Sequence, residues 1–345
     1  MAAGSFFSAV AAKLFGAAPD AGAKVEPELV ELAIEAVIDT VDPRLRTVSG
    51  YRKKLAPAAA ATIRHLRSIA PQLPPALELS RSAWASDSTI NALFATADDV
   101  RSALGRSPAL RAYFESNPAA DEVYALLGML KVERNVFAPA LVDGQLRHDV
   151  AQTTVSFSNH KLVAPAPDFP ACRREVGMLI LQRLATLALE RITALGERAT
   201  ALEQRKAVLA ARLRLLNLRK DGLEQLAAPA DESAEAARIE QELKATADEV
   251  IETKTQLATL ATRIDHVNAV LNAPADNVNL ASLELRVNKT GFKLAADSED
   301  TGAALKLTEL AIGNGAKIII AFVRCGRAEM PPKESLAARA AREVL

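Results

Sequence analysis

The sequence predicts an α+β protein that is mainly helical: a helical bundle, a long antiparallel coiled-coil hairpin and a small antiparallel β-sheet. Two features of the chain indicate the hairpin. Leucines recur at every seventh residue through a long segment without proline, and a second heptad pattern follows a short break. A third feature indicates the sheet, because beyond residue 273 the apolar residues alternate with polar ones. Half of the 345 residues are hydrophobic, so a sizeable core can be buried.

The strongest pattern lies in residues 169–273, which we interpret as the hairpin. In its first arm the leucines recur in register from Leu195 to Leu223, and its second arm covers residues 232–272. The predicted seam consists of aliphatic residues at the a and d positions of both heptads: Ile192, Leu195, Leu202, Leu209, Leu213, Leu216, Leu223, Leu243, Val250, Leu257, Leu260, Ile264 and Val267.

The two arms are expected to fold back on each other at Pro229, which would place Leu209 opposite Val250. Residues 203–220 are mainly basic and residues 232–252 are mainly acidic, so antiparallel folding brings opposite charges together. A parallel leucine zipper on DNA would instead need a basic helix directly upstream. The upstream segment is largely apolar, and the hairpin within one chain is therefore the favoured interpretation.

Prolines, glycines and capping residues divide the rest of the chain. Thr96 and Ser107 are expected to begin helices, the second with Pro108 in its first turn. The predicted segments are a short amphipathic helix and linker (1–24), a helical bundle (25–137) whose last helix covers 119–136, an irregular segment with two short strands (138–168), two β-hairpins (274–327) and a C-terminal helix and tail (328–345).

Composition excludes several classes of function. Lys plus Arg and Asp plus Glu number 42 each and aromatic residues are few, which argues against a nucleic-acid partner. The sequence contains no phosphate-binding loop, dinucleotide fingerprint or zinc motif, so we expect no cofactor and no metal. Two cysteines cannot build a disulfide framework, and the N-terminus lacks the basic start of a signal peptide. These features predict a cytoplasmic protein.

Cys172 is the residue with the most chemical interest. It follows Pro170 in the first turn of the long helix and precedes Arg173, and both a helix N-terminus and a guanidinium lower the pKa of a thiol. His148 and His160 lie in the preceding segment and would complete a thiol–base site if they were close to it. The competing interpretation is a small residue at a helix start beside ordinary surface histidines.

The sequence favours a non-enzymatic scaffold or adaptor that uses the coiled-coil arm to bind a protein partner. One alternative is a thiol-dependent enzyme or redox switch at Cys172. Another is a transport or membrane-associated adaptor, since a helical hairpin joined to β structure resembles periplasmic membrane-fusion proteins. Membrane contact through the phenylalanine-containing N-terminal segment, and assembly into a homo-oligomer, also stay open.

Overall fold

A computed structural model describes residues 25–142, 145–220, 232–288, 290–294, 302–313, 315 and 317–332. The predicted N-terminal amphipathic helix and the C-terminal helix beyond residue 332 lie outside the described residues, as do Leu223 and the predicted turn at Pro229.

The described helices are α1 (Pro27–Val41), α2 (Tyr51–Ile69), α3 (Arg81–Ser86), α4 (Ser88–Leu93), α5 (Ala97–Arg106), α6 (Pro108–Ser116), α7 (Phe169–Lys220), α8 (Glu232–Thr255), α9 (Leu260–Asn272) and α10 (Pro274–Asn277). Single 3-10 turns occupy Pro43–Thr47, Ala70–Gln72 and Arg327–Glu329. The strands are β1 (Leu77–Glu78), β2 (Glu122–Val142), β3 (Gln145–Ala166), β4 (Val278–Val287), β5 (Lys293–Leu294), β6 (Ala303–Ile312) and β7 (Ile318–Gly326).

Side-chain caps explain where the short helices begin. Thr96 and Asp99 form a reciprocal capping box at the start of α5, and the Ser107 hydroxyl accepts a hydrogen bond from the Leu110 amide at the start of α6. Each such cap contributes about 1 kcal/mol by satisfying an amide that the helix leaves open. Both predicted helix starts are confirmed.

The strands form one seven-stranded sheet in the order β3–β2–β7–β6–β4–β5, with β1 pairing in parallel with β7. The other pairings are antiparallel, and the long β2–β3 hairpin supplies two neighbouring strands. Strand β2 pairs with β7 from Glu122 to Met129, and the rest of β2 pairs with β3 alone. The segments predicted to alternate between residues 283 and 324 are strands β4 to β7.

The sheet curls until its two ends nearly meet, which makes it barrel-like. The Val155 amide of β3 donates a 2.8 Å hydrogen bond to the Gly291 carbonyl in the turn after β4, and Thr154 bridges Phe292. Gly291 has a φ of 82°, and a Cβ at this position would lie 3.2 Å from the Val155 carbonyl oxygen. Glycine therefore allows both the turn and the close approach of the two sheet ends.

The predicted small sheet and the predicted helical bundle over 25–137 are wrong. Residues 119–136 were expected to be a helix, and residues 138–168 to be largely irregular, but β2 and β3 run through both regions. Val123 and Leu127 of β2 belong to the buried cluster, while Leu126 between them is also buried. A strand that is buried on both faces has a continuous apolar run, and such a run resembles a helix in sequence.

The described residues divide into two compact units. The first draws on residues within 1–33, 60–183 and 274–345 and contains the sheet; its buried cluster includes Phe94, Val123 and Leu305. The second draws on residues 34–59 and 184–273 and contains most of α7 with α8 and α9.

Candidate protein-interaction surface

Helices α7 and α8 of the second unit run antiparallel and are joined by cross-helix ion pairs. Arg198 pairs with Glu249 at 3.5 Å, Arg205 pairs with Glu242 at 2.5 Å, and Arg212 pairs with Glu235. On the other side of the contact, Lys254 pairs with Glu203. The predicted fold-back and the predicted meeting of opposite charges are both present in these pairs. Each pair is exposed, so each contributes only about 0–1 kcal/mol.

The predicted register between these helices is wrong by about one heptad. Folding at Pro229 would have brought Arg205 towards Lys254, two like charges. In the structure Arg205 meets Glu242 instead, and Lys254 meets Glu203. A shift of one heptad keeps the apolar positions on the inner face, so the apolar pattern alone could not distinguish the two registers.

The inner face of the pair is a small apolar cluster. Leu209, Leu216, Ala236 and Ile239 are buried in it, and Leu213 and Leu243 pack against them half-buried. The remaining predicted seam residues are buried at Ile192, Val250, Ile264 and Val267, and half-buried at Leu195, Leu202, Leu257 and Leu260. These positions fit a coiled-coil seam, and the coiled-coil assignment itself stays a prediction.

The second arm is two helices rather than the single helix expected over 232–272. The break falls between α8 and α9, where Thr259 and Thr262 form a capping box that starts α9. A ring nitrogen of His266 lies 3.1 Å from the Gln256 carbonyl oxygen, within hydrogen-bonding distance of a group at the broken end of α8. A helix end needs such partners because its last carbonyls have none within the helix.

The outer face of α7 carries a second apolar pattern that the sequence analysis missed. Val208, Leu215 and Leu218 are 67%, 63% and 62% exposed. They belong to a set of exposed residues spaced alternately by three and four along α7, which we call the outer stripe: Ala201, Gln204, Val208, Ala211, Leu215 and Leu218. Such spacing places side chains along one side of a helix, as in a heptad seam. The spacing was visible in the sequence, but the five inner leucines dominated the pattern.

An open groove lies at the N-terminal end of the outer stripe. Its volume is about 630 Å³, and Ala201 and Gln204 of the stripe contribute to its lining together with Thr193, Thr200 and Leu257. Gly196 also lines it, and a Cβ at this position would meet no atom within 4 Å. The groove and the stripe therefore form one continuous surface along α7.

Cys172 does not have the environment expected of a reactive thiol. It is fully buried, and its Sγ donates a 3.3 Å hydrogen bond to the Ala164 carbonyl. Burial raises the pKa of Cys172 to about 12, and the charges of Glu175 and Asp168 act in the same direction. The nearby Arg173 directs its guanidinium to the Ala70 carbonyl at 2.9 Å. The predicted lowering of the thiol pKa is therefore wrong, because desolvation outweighs the helix terminus.

The two candidate histidines do not form a site with the thiol. A ring nitrogen of His160 lies 2.8 Å from the Leu93 carbonyl oxygen, and its ring stacks on Phe94 with centroids 4.3 Å apart. Burial lowers the pKa of His160. His148 is exposed on β3. Within the described part of the chain, no hydrogen bond joins Cys172 to either histidine.

Among the described residues, no three or more His, Cys, Asp and Glu side chains are grouped so that they could hold a metal ion. None of the described helices has the length and apolar character needed to cross a membrane. Comparison with protein-family models, with curated proteins and with solved structures gives no match to this chain.

Proposed function

We propose that the protein is a non-enzymatic scaffold or adaptor that binds a protein partner through the arm formed by α7 and α8. The observation that carries this proposal is the outer stripe. Burying an exposed leucine against a partner contributes about 1.5–3 kcal/mol, so Leu215 and Leu218 together offer substantial binding energy. Placing a partner helix against such a stripe is a recurrent mode of peptide recognition.

The inner face supports the same proposal because the packing of α7 against α8 does not bury the outer stripe. Leu209 and Leu216 are buried between α7 and α8, whereas Val208 and Leu215, each one residue earlier, are exposed. Isolated exposed aliphatic residues are common on protein surfaces, but residues that follow one helix side in heptad spacing are typical of an interface. Both cysteines are free thiols, which supports placing this adaptor in the cytoplasm.

The alternatives receive less support. A thiol-dependent enzyme or redox switch at Cys172 needs an accessible thiolate, and this thiol is buried with a pKa of about 12. For a transport or membrane-associated adaptor, the described residues offer no specific feature that favours it over a cytoplasmic one.

The test is to replace Leu215 and Leu218 by glutamine in the full chain and to quantify proteins that co-purify with it from native cells. We expect the main partner to fall by more than about tenfold, because two buried leucines are lost from the interface. The matched control is Ile251→Gln, which changes an aliphatic residue on α8 that is 65% exposed and lies outside the outer stripe. Unchanged partner recovery in the leucine variant, with circular dichroism showing an intact fold, would reject the arm as the binding element.

A further inference from the structure

We infer that the segment which binds the outer stripe is an amphipathic helix with acidic residues flanking its apolar face. This inference rests on the proposed function and specifies the partner of the same surface. The outer stripe spans residues 201 to 218, which corresponds to about 26 Å of helix. A partner helix of about five turns would cover it.

A row of arginines runs beside the outer stripe. Arg198, Arg205, Arg212 and Arg219 are seven residues apart, and Arg205 and Arg212 each come one residue after a member of the stripe. If the stripe residues are taken as the a and d positions of a heptad, the row occupies the e position. Side chains at e positions form the ion pairs that select the partner helix and its orientation.

These arginines have room for a second carboxylate. Arg198, Arg205 and Arg212 already pair with glutamates of α8, yet their side chains remain 64%, 60% and 61% exposed. A guanidinium has five N–H donors in a planar fork, so it can serve one carboxylate on α8 and another on a partner. The row can therefore bridge α8 to the bound helix.

The charges around the stripe on α7 favour an acidic partner over a basic one. Glu203 is the one acidic residue between positions 201 and 218 of the sequence, and Lys254 of α8 already pairs with it. Arg214 and Lys206 are exposed in the same stretch and add to the positive charge. A helix with acidic flanks can use the remaining N–H donors of the row, whereas the glutamates of α8 beside the row are already paired with arginines and offer less to a basic flank.

The same charges argue against a second copy of the chain as the occupant. If two outer stripes paired antiparallel about a twofold axis, their e positions would face each other and bring the two arginine rows together. In a parallel pair the row would face Thr200, Ala207 and Arg214, none of which is acidic. A second α7 therefore offers the row no carboxylate.

The experiment uses two synthetic peptides of about three heptads with identical leucines at a and d. One has glutamate at the e and g positions and the other has lysine there. Fluorescence anisotropy measures their binding to the full chain at low and at high salt. We expect the glutamate peptide to bind at least about tenfold more tightly at low salt, with the difference shrinking as salt screens the exposed charges.

A charge-exchanged variant provides the matched control. Arg198→Glu with Glu249→Arg, Arg205→Glu with Glu242→Arg, and Arg212→Glu with Glu235→Arg exchange the charges of all three ion pairs between α7 and α8, so that three of the four residues in the row become acidic. In this variant the lysine peptide should bind more tightly than the glutamate peptide. Leu215→Gln with Leu218→Gln should weaken the binding of both peptides.

The outcomes separate this inference from the proposed function. If the two peptides bind equally well and the leucine variant binds neither, the acidic preference is overturned. The adaptor proposal is then unaffected. Absence of peptide binding together with full recovery of native partners by the leucine variant would overturn both. A dimer that forms as concentration rises and disappears in the leucine variant would show a second copy on the stripe and would also overturn the inference.

Discussion

The sheet-containing first unit and the α7–α8 arm of the second unit differ in the size of the apolar cluster that each one buries. In the first unit Phe94, Val123 and Leu305 lie at or near zero exposure in one buried cluster, which strands of the sheet and helices α4 to α6 form together. In the arm, the inner cluster contains few residues, and Val208, Leu215 and Leu218 are left on the outside. The buried cluster of the first unit is therefore large, whereas the arm has a small one and leaves a row of aliphatic residues exposed.

This difference has a geometric cause. A sheet that nearly closes on itself has an interior, and the side chains on that face of each strand point into it. Two packed helices share a single seam, so the remaining sides of each helix face solvent unless a third element covers them. An aliphatic residue on the outer side of α7 therefore contributes little to the stability of the arm, and this is why we propose a role in binding for the outer stripe.

The largest effect is expected for a truncation in the buried cluster of the first unit. Phe94→Ala should lower the free energy of unfolding by about 3–5 kcal/mol, because it removes a fully buried ring and leaves a cavity. Urea denaturation followed by fluorescence measures this. The matched control is Phe137→Ala on β2, where the ring is 77% exposed and the expected change is within about 0.5 kcal/mol. Similar losses in both variants would contradict the description of the interior.

A smaller and local effect is expected in the arm. Leu209→Ala should cost about 2 kcal/mol, since its cluster is small and can partly collapse around the missing atoms. Hydrogen exchange should show faster exchange of amides in α8 and in α7 beyond residue 200, with β2 and β7 unchanged. Val208→Ala, at the neighbouring exposed position, serves as the control and should leave exchange unaltered. Faster amide exchange in β2 and β7 of the Leu209→Ala variant would contradict the expectation that the effect stays within the arm.

The smallest effect concerns the buried thiol of the first unit. The folded-state pKa of Cys172 is raised from 9.0 to about 12, so its contribution to stability is fully present below pH 9 and is lost as pH rises towards 12. Between about pH 9 and pH 10 this loss should be about 1 kcal/mol. To measure this loss, the unfolding free energies of the original chain and of Cys172→Ala are compared at both pH values, and the difference between them should change by this amount. A difference that does not change with pH would show that the thiol is not desolvated.

Several parts of the fold follow from local signals in the sequence. The capping box at Thr96 and the serine–proline start at Ser107 are present as expected, because these contacts join residues at most three positions apart. The alternating segments after residue 273 form strands, because alternation indicates a sheet with one buried face. The fold-back of α7 and α8 was also visible, since it combines a heptad pattern with opposite blocks of charge.

Contacts between distant residues decided the rest. The sequence pattern of β2 resembled a helix because both of its faces are buried by residues far away in sequence: Val123 and Leu127 belong to the buried cluster on one face, and Leu126 is buried on the other. The register of the arm depends on which charges meet, and Arg205 found Glu242 although the apolar pattern allowed another alignment. The pKa of Cys172 likewise depends on what surrounds the thiol in three dimensions, not on the arginines next to it in the chain.

The sequence by itself therefore determined the helix starts, the late strands, the existence of the hairpin and the heptad spacing of both faces of α7. All of these arise from interactions over a few residues or from a repeat along one helix. The tertiary structure alone decided that the sheet has seven strands and nearly closes, that the arm pairs about one heptad away from the simplest alignment, and that the outer stripe stays exposed. Burial and exposure depend on which distant residues come together, and a pattern along the chain does not contain that information.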